Sequence, residues 1–345
     1  MDDFPAKTAT IDDVAKLAGV SIATVSRTIS KPEKVAESTR KKVTAAIART
    51  GYVANAMARN LRLKRSQMVL VLTPSIADPN FPGILIGLEK AASKRGYGVL
   101  IGNTDGGVTQ EESYLRFLST GMADGLIVLT GHLPVAGWGN SAAAFPPLVA
   151  ATRPIDHFDI DYVGVNDMVA AKMATEYLVS LGHMHIAYIA GPAGSAVSEN
   201  RQAGYAKAMS AEWLVDGDGT IEGGRAAVER LFIRDTLPTA FFCFNDDTAI
   251  GVIGALKSRG YRVPEDFSVI GFDDIPYANT ITPSLTTVRQ PRLQIGETAM
   301  GILLDKLTGN RDAPSKRLLH GDLVVRESCT RPRRHLLSAK RGARS

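Results

Sequence analysis

Residues 10–30, TIDDVAKLAGVSIATVSRTIS, constrain this chain more tightly than any other stretch. They read as two short helices joined by a tight turn. Val14 and Leu17 are three apart and are expected to face inward together, beside Ala15 and Ala18. Gly19 stands where a sharp turn needs a residue tolerant of unusual φ. Ser21 is placed to cap a second helix, Ile22 to Thr28, with Val25 as its inward knob. A third helix is expected after a cap at Ser38 or Thr39, running to about Arg49 and stopped by Gly51, with Val43 and Ile47 inward. Helix, glycine turn, helix is the unit that lays its second helix in the major groove of DNA. A plain helical hairpin fits the same residues.

Charge separates these alternatives. Residues 1–65 hold 13 Lys/Arg and 6 Asp/Glu, a balance of +7. Residues 331–345 carry +6, which leaves −8 on residues 66–330, since the whole chain is +5. A basic head on an acidic body suits phosphate binding at one end. The tail, RPRRHLLSAKRGARS, reads as a solvated end. Between head and body, NAMARNLR (Asn55 to Arg62) is a helix-compatible piece. Its Leu61 suits a wedge that pries open a base step from the minor groove; an ordinary linker fits too.

From Met68 the texture changes to strands alternating with helices: MVLVLTPSI, YGVLIGNT, ADGLIVLT, PPLVAAT, YVGVN, IAYIAG, TAFFCFND and FSVIGFDD, with helical runs between most of them. This rhythm gives a doubly wound α/β fold of parallel sheets. Some 260 residues is too much for one such sheet, so two lobes with a cleft are expected. Ligands of such sheets bind at the carboxyl ends of the strands. The polar or aromatic residues there are Asp78, Phe81, Asn103, Thr130, Arg153, Asn245, Asp246 and Asp273.

Taken together, these segments resemble the LacI family of transcription regulators. TIDDVAKLAGVSIATVSRTIS is similar to the family's helix-turn-helix and GYVANAMARNLR to its hinge helix. The core blocks IADPNF, DGLIV, NRQAGY, FNDDTAIG, VPEDFSVIGFDD and PSLTTVRQP follow in the family's order. The resemblance covers nearly the whole chain. It implies a three-helix head (residues 1–51), a hinge helix and linker (52–66), and a two-lobed core like that of periplasmic binding proteins. The core's N-terminal lobe would comprise 67–164 and 290–316, its C-terminal lobe 165–289 and 317–330, with the basic tail (331–345) beyond.

The resemblance further implies a homodimer reading the half-sites of a pseudo-palindromic double-stranded operator. Ile22, Ala23 and Arg27 fall at the base-reading positions. Arg27 is suited to a bidentate pair with guanine, and Ile22 and Ala23 to thymine methyls. Ser21, Thr24 and Ser26 suit phosphate oxygens, and Thr10 joins this DNA-contacting set. In the hinge, Leu61 falls at the intercalating leucine, with Asn55, Ala58 and Arg62 around it. Ala54 departs from the family's usual proline there. In the core, the effector set falls on Asp78, Phe81, Arg153, Arg201, Phe242, Asn245 and Asp273. Asp273 would accept the ligand's hydroxyl protons, Arg201 donate to it, and Phe81 stack on a ring. Phe242 reads equally well as core, and Asp246 as a structural or capping aspartate.

Within the family, DP.F, the LP after DGLIVLTGH, the IAGP turn and the eight residues between that Gly-Pro and Arg201 are similar to the branch of the cytidine-responsive regulator. Ser195 stands where the purine-responsive branch carries an arginine, which argues against a purine corepressor. A connection shorter than usual, SAEWLVDGDGTIEGG, is expected to be a trimmed surface loop that Trp213 helps to cover.

A repressor controlled by a sugar or nucleoside is therefore expected. A sugar-binding protein of the periplasmic kind would share the two-lobed body but not the basic head. The opening MDDFPAKTATIDD is acidic where a signal peptide is basic and then apolar, so a cytoplasmic protein is expected, and no run suits a membrane helix. Against an enzyme, no Walker loop, GxSxG, HExxH or CxxC is present and no nucleophile–base pair is evident. No cofactor or metal is expected: two cysteines make no cluster, and His183 and His185 lack a carboxylate partner.

Overall fold

The structure, a computed structural model, describes residues 9–53, 65–105, 107–133, 146–155, 159–310 and 313–333. It divides into two compact units, Met1–Ser66 and Gln67–Ser345. The hinge positions Ala54, Asn55, Ala58, Leu61 and Arg62, and the tail from residue 334, lie outside the described residues.

In the first unit, α1 (Ile11–Ala18) starts at Thr10, whose hydroxyl accepts from the Asp13 amide while the Asp13 carboxylate receives the Thr10 amide. Such reciprocal capping satisfies two donors the helix cannot. Gly19, at φ 66°, ends it in the left-handed region. Helix α2 (Ile22–Ser30) is capped by Ser21 as expected. Helix α3 (Glu37–Thr50) begins after Ala36 with no side-chain cap, so Ser38 and Thr39 lie inside its first turn.

Val14, Ala15, Val25, Val43 and Ala46 form the core of this unit, with Ile47 and Tyr52 packed against it. Leu17 does not join them and is 43% exposed. At 100° per residue, Val14, Ala15 and Ala18 already define the buried face, and Leu17 falls beside it.

The second unit holds two six-stranded sheets. The first contains β1 (Met68–Thr73), β2 (Gly98–Asn103), β3 (Gly125–Val128), β4 (Leu148–Ala151), β5 (Asp161–Val165) and β11 (Lys316–Leu319), in the order β11-β5-β4-β3-β1-β2. The second contains β6 (Ile186–Ile189), β7 (Leu214–Val215), β8 (Ala240–Cys243), β9 (Ser268–Asp273), β10 (Thr286–Arg289) and β12 (Asp322–Val324), in the order β12-β10-β9-β8-β6-β7. All pairings are parallel except β10 with β12. Against the first sheet lie α4 (Phe81–Ser93), α5 (Val108–Ser119) and α10 (Arg292–Leu307). Against the second lie α6 (Asp167–Ser180), α7 (Ala196–Ala208), α8 (Ile221–Leu231) and α9 (Asp246–Ser258).

The chain passes between the sheets after β5, after β10 and after β11. Because β11 pairs with β5 over Lys316–Leu319, the last passage falls after Leu319. The lobe boundary expected at 316/317 would have cut that strand. Helix α7 starts at Ala196, which places Arg201 in its second turn. The short connection is not a bare loop: it holds β7, and Trp213 is buried against His185 with Arg234 over its ring.

Helices pair closely where glycines meet backbone. A Cβ at Gly87 of α4 would stand 2.1 Å from the Leu293 carbonyl of α10, and one at Gly296 would stand 2.2 Å from that of Ile84. Gly224 and Gly251 play the same part between α8 and α9.

Candidate functional site

On α2, Ile22, Ala23, Ser26 and Arg27 lie within about 140° of one another around the axis, opposite buried Val25 and Thr28. Ile22, Ala23 and Arg27 are exposed and Ser26 is half-buried. Arg27 makes no ion pair among the described residues, so its guanidinium is available for a planar, bidentate acceptor. Ser21 and Thr24 are partly engaged already: their hydroxyls lie 2.9 Å apart, and the Thr24 amide donates to Ser21 at 3.2 Å. Thr10 holds α1 through its capping bonds.

In the second unit, the carboxyl ends of both sheets frame a cavity of about 470 Å3. Its anchor is Arg201 on α7, 4% exposed. Its Nε donates to Asp167 at 2.8 Å, Nη1 to the Phe244 carbonyl at 2.6 Å and Nη2 to Asp273 at 3.5 Å. Its guanidinium also stacks 3.6 Å above the ring of Phe272. Burial works against this cation, but the carboxylates of Asp167 and Asp273 outweigh it and hold the guanidinium firmly charged.

Asp273 ends β9 with φ 117°, and Asp274 follows at φ 58°. Two consecutive non-glycine residues in this region store strain that the surroundings must hold. They do. Asp273 accepts from Asn80 at 3.0 Å and from Gln290, and its own carbonyl accepts from Arg292 at 3.2 Å. Burial pushes the Asp274 carboxyl up, but Arg289 and Arg326, clamping it at 2.7 and 2.6 Å, together draw it below the usual carboxylate range. Burial pushes the Asp273 carboxyl up, against the pull of Arg201, Gln290 and Asn80. Thr152, a further wall residue, also has positive φ, 64°.

Of the expected effector residues, Asp78, Phe81, Arg153, Arg201, Asn245 and Asp273 line the cavity. Phe242 does not. It is fully buried, its ring 5.2 Å from that of Tyr188, and Phe244 takes its place at the wall. Asn103 and Thr130 brace loops instead: Asn103 accepts from the Ile76 amide and Thr130 donates to the His132 carbonyl. Asp246 is buried and accepts from the Ile275 amide and the Thr287 hydroxyl, the structural role expected of it. His183 is buried too, bonded to Thr239, Ser268 and the Thr330 carbonyl.

Sequence reasoning missed Asn80, Asp167, Asp218, Asp247 and Gln290 in the wall. Asp247 could have been found. In FNDD, Asn245 caps α9, so Asp247 points about 100° away from Asp246: Asp246 is buried, and Asp247 is half-buried at the cavity wall. Asp218 sits in the short connection, where its carboxylate accepts from the Thr220 amide and hydroxyl.

Comparison with known proteins finds matches in both units. Residues 10–55 match the lacI family of bacterial regulatory proteins, and residues 175–329 match the periplasmic binding protein-like domain. The HTH-type transcriptional repressor CytR of Escherichia coli K12 is 36% identical over 327 residues, 93% of this chain and 96% of that protein. The repressor PurR of Erwinia tasmaniensis is 34% identical over 343 residues, with the same coverage. Among solved structures, the Lac repressor dimer bound to operator and the anti-inducer ONPF superposes with a TM-score of 0.81 at 29% identity, covering 94% of this chain and all of that one. The CelR–cellobiose complex gives 0.70 at 30% identity, covering 93% and 99%. With its helix-turn-helix head and its cleft between two largely parallel sheets, the chain belongs to the lacI family of bacterial regulatory proteins and is a DNA-binding transcription regulator.

Proposed function

We propose that the chain is a cytoplasmic repressor. It binds a pseudo-palindromic operator as a homodimer, and its DNA affinity is set by a sugar or nucleoside held between the two lobes. One observation carries the ligand side: Arg201, Asp273 and Asn80, drawn from both lobes, converge on a single cavity. Buried polar groups fixed in advance lose little on binding a hydroxyl-rich ligand. The recognition face of α2 carries the DNA side.

Asn80 belongs to the first lobe and Asp273 to the second, and they are directly bonded. A ligand that takes up the Asp273 carboxylate competes with that bond and so shifts the lobes relative to one another. Such a shift changes operator affinity only by the ligand's differential affinity for the two arrangements, typically about 1–3 kcal/mol. In a dimer, lobe rotation would alter the spacing of the two hinge segments. No helix among the described residues is long and apolar enough to cross a membrane.

A thermal-shift screen of sugars and nucleosides on the full chain tests the ligand side. A hit at a hundred times its Kd stabilises by about 2.7 kcal/mol. That hit must also change binding to a selected operator in fluorescence anisotropy; a ligand that stabilises without doing so sinks the regulatory role.

A further inference from the structure

We infer that the cleft takes an uncharged or cationic, donor-rich ligand and refuses its phosphorylated form. The inference rests on the cleft being the effector site, and narrows what that site accepts. The described cavity wall carries five carboxylates, from aspartates 78, 167, 218, 247 and 273, against two guanidinium groups, Arg153 and Arg201. Arg201 is spent between Asp167 and Asp273. Asp78, Asp218 and Asp247 make no ion pair among the described residues.

Asp78 and Asp247 come from opposite lobes, one before α4 and the other in the first turn of α9. Each is half-buried, and the repulsion of Asp78 adds to burial in pushing the Asp247 carboxyl up. A ligand must supply donors to both, because an ionised carboxylate only accepts. Hydroxyl and amine groups can do so. A phosphate brings acceptors and two further negative charges.

The contrary terms are real but smaller. The N-termini of α4, α7 and α9 approach the wall, each worth roughly half a positive charge, yet Asp246 and Asp247 already occupy that of α9 and the Ser195 hydroxyl caps that of α7. Arg153 and Asp218 are both exposed, so solvent screens both charges. Arg292, bonded to Asn80 and the Asp273 carbonyl, adds one cation behind the wall against the half-buried Asp78 and Asp247. The balance stays negative. A regulator built this way reports a free sugar or nucleoside: the product of a hydrolytic or phosphorolytic step, or the substrate of a kinase.

The test uses the full chain and pairs of probes: ribose, glucosamine, cellobiose, cytidine and adenosine, each beside its phosphate ester. For any probe that raises Tm, the ester should bind at least about tenfold more weakly at low salt. Substituting D78N and D247N together should shrink that gap. An ester that binds as well as its free partner overturns the inference and leaves the effector site standing.

A ligand-free arm reads the charge directly. Ala77 lines the cavity and is exposed; Cys243 is buried and Cys329 half-buried, so the reaction of the unsubstituted chain is subtracted. In Ala77→Cys, iodoacetate should react at least about threefold more slowly, relative to iodoacetamide, than it does with free cysteine, and D78N with D247N should restore the ratio. A ratio equal to that of free cysteine overturns the inference. If no probe stabilises the chain, it is the effector reading that fails, and the cysteine ratio still decides the charge.

Discussion

The side-chain amide of Asn80 donates to the carboxylate of Asp273 at 3.0 Å, joining the loop after β1 in one lobe to the end of β9 in the other. Asp273 thus serves two parts. It holds the lobes in register, and it presents an acceptor to the cavity. Replacing it by Asn keeps the size and the tolerance of positive φ but removes the charge that Arg201, Gln290 and Asn80 all address. In Asp273→Asn, operator binding should persist while the response to an effector falls at least about fivefold, equivalent to the lower end of allosteric coupling. Anisotropy titrations with and without effector measure this; a normal response would remove Asp273 from the site.

Arg201 carries the opposite risk. It is buried between two carboxylates, and removing it would leave both without a cation. Arg201→Met should cost about 3–5 kcal/mol of stability, the usual result of breaking a buried pair from one side. Urea unfolding followed by circular dichroism gives the number. A loss under 1 kcal/mol would mean that water replaces the guanidinium, and that burial here is less complete than 4% exposure implies.

The recognition helix separates reading from positioning. Arg27→Ala should lose about 1–3 kcal/mol of preference for operator over random DNA, with nonspecific binding retained. Equal losses on both would assign Arg27 to phosphate. Ser21 behaves differently, because its hydroxyl caps α2 and receives the Thr24 amide. Ser21→Ala should therefore lower the stability of the head by about 1 kcal/mol besides any loss of DNA contact.

His183 makes stability depend on pH in a definite direction. Its Nε2 faces the Thr330 carbonyl at 2.9 Å, which can only accept, so the proton of the neutral ring sits on Nε2. Burial lowers its pKa below the ordinary value near 6.5. Below that pH the unfolded chain binds the proton and the folded chain resists it, so stability falls as pH drops through the window beneath 6.5. His183→Gln should be less stable at pH 7.5 yet lose less on going to pH 5.5. Parallel curves for the two proteins would show that other groups set the slope.

Much of this architecture is legible in the sequence because its signals are local. A capping threonine three residues before Asp13, a glycine at φ 66° and apolar strand runs each report on their own neighbours. Several elements that escaped have partners far along the chain, whereas α8 escaped because two glycines near its start read as loop. Helix α10 carries no strong amphipathic stripe because α4 and the first sheet both cover it, and β11 and β12 are short strands completed by distant ones. Asn80 and Gln290 belong to the site only because the fold brings them to Asp273, 193 and 17 residues away.

Phe242 and Phe244 show where the local signal stops. Alternation along β8 puts both on the face of Tyr188, away from Phe241 and Cys243, so the sequence picks the correct side of the sheet. It does not say how far along the strand the cavity begins. Strand β8 ends at Cys243; Phe242 lies below that edge in the core and Phe244 just beyond it, its ring 4.8 Å from the Arg201 guanidinium. Phe242→Ala should therefore cost about 3–5 kcal/mol of stability with little change in ligand affinity per folded molecule. Phe244→Leu should do the reverse, losing about tenfold in affinity, the size expected of a single aromatic contact, and under about 1.5 kcal/mol of stability. Urea unfolding and calorimetric titration on the same preparations decide it, and equal behaviour of the two variants would put the edge of the cavity somewhere other than the end of β8.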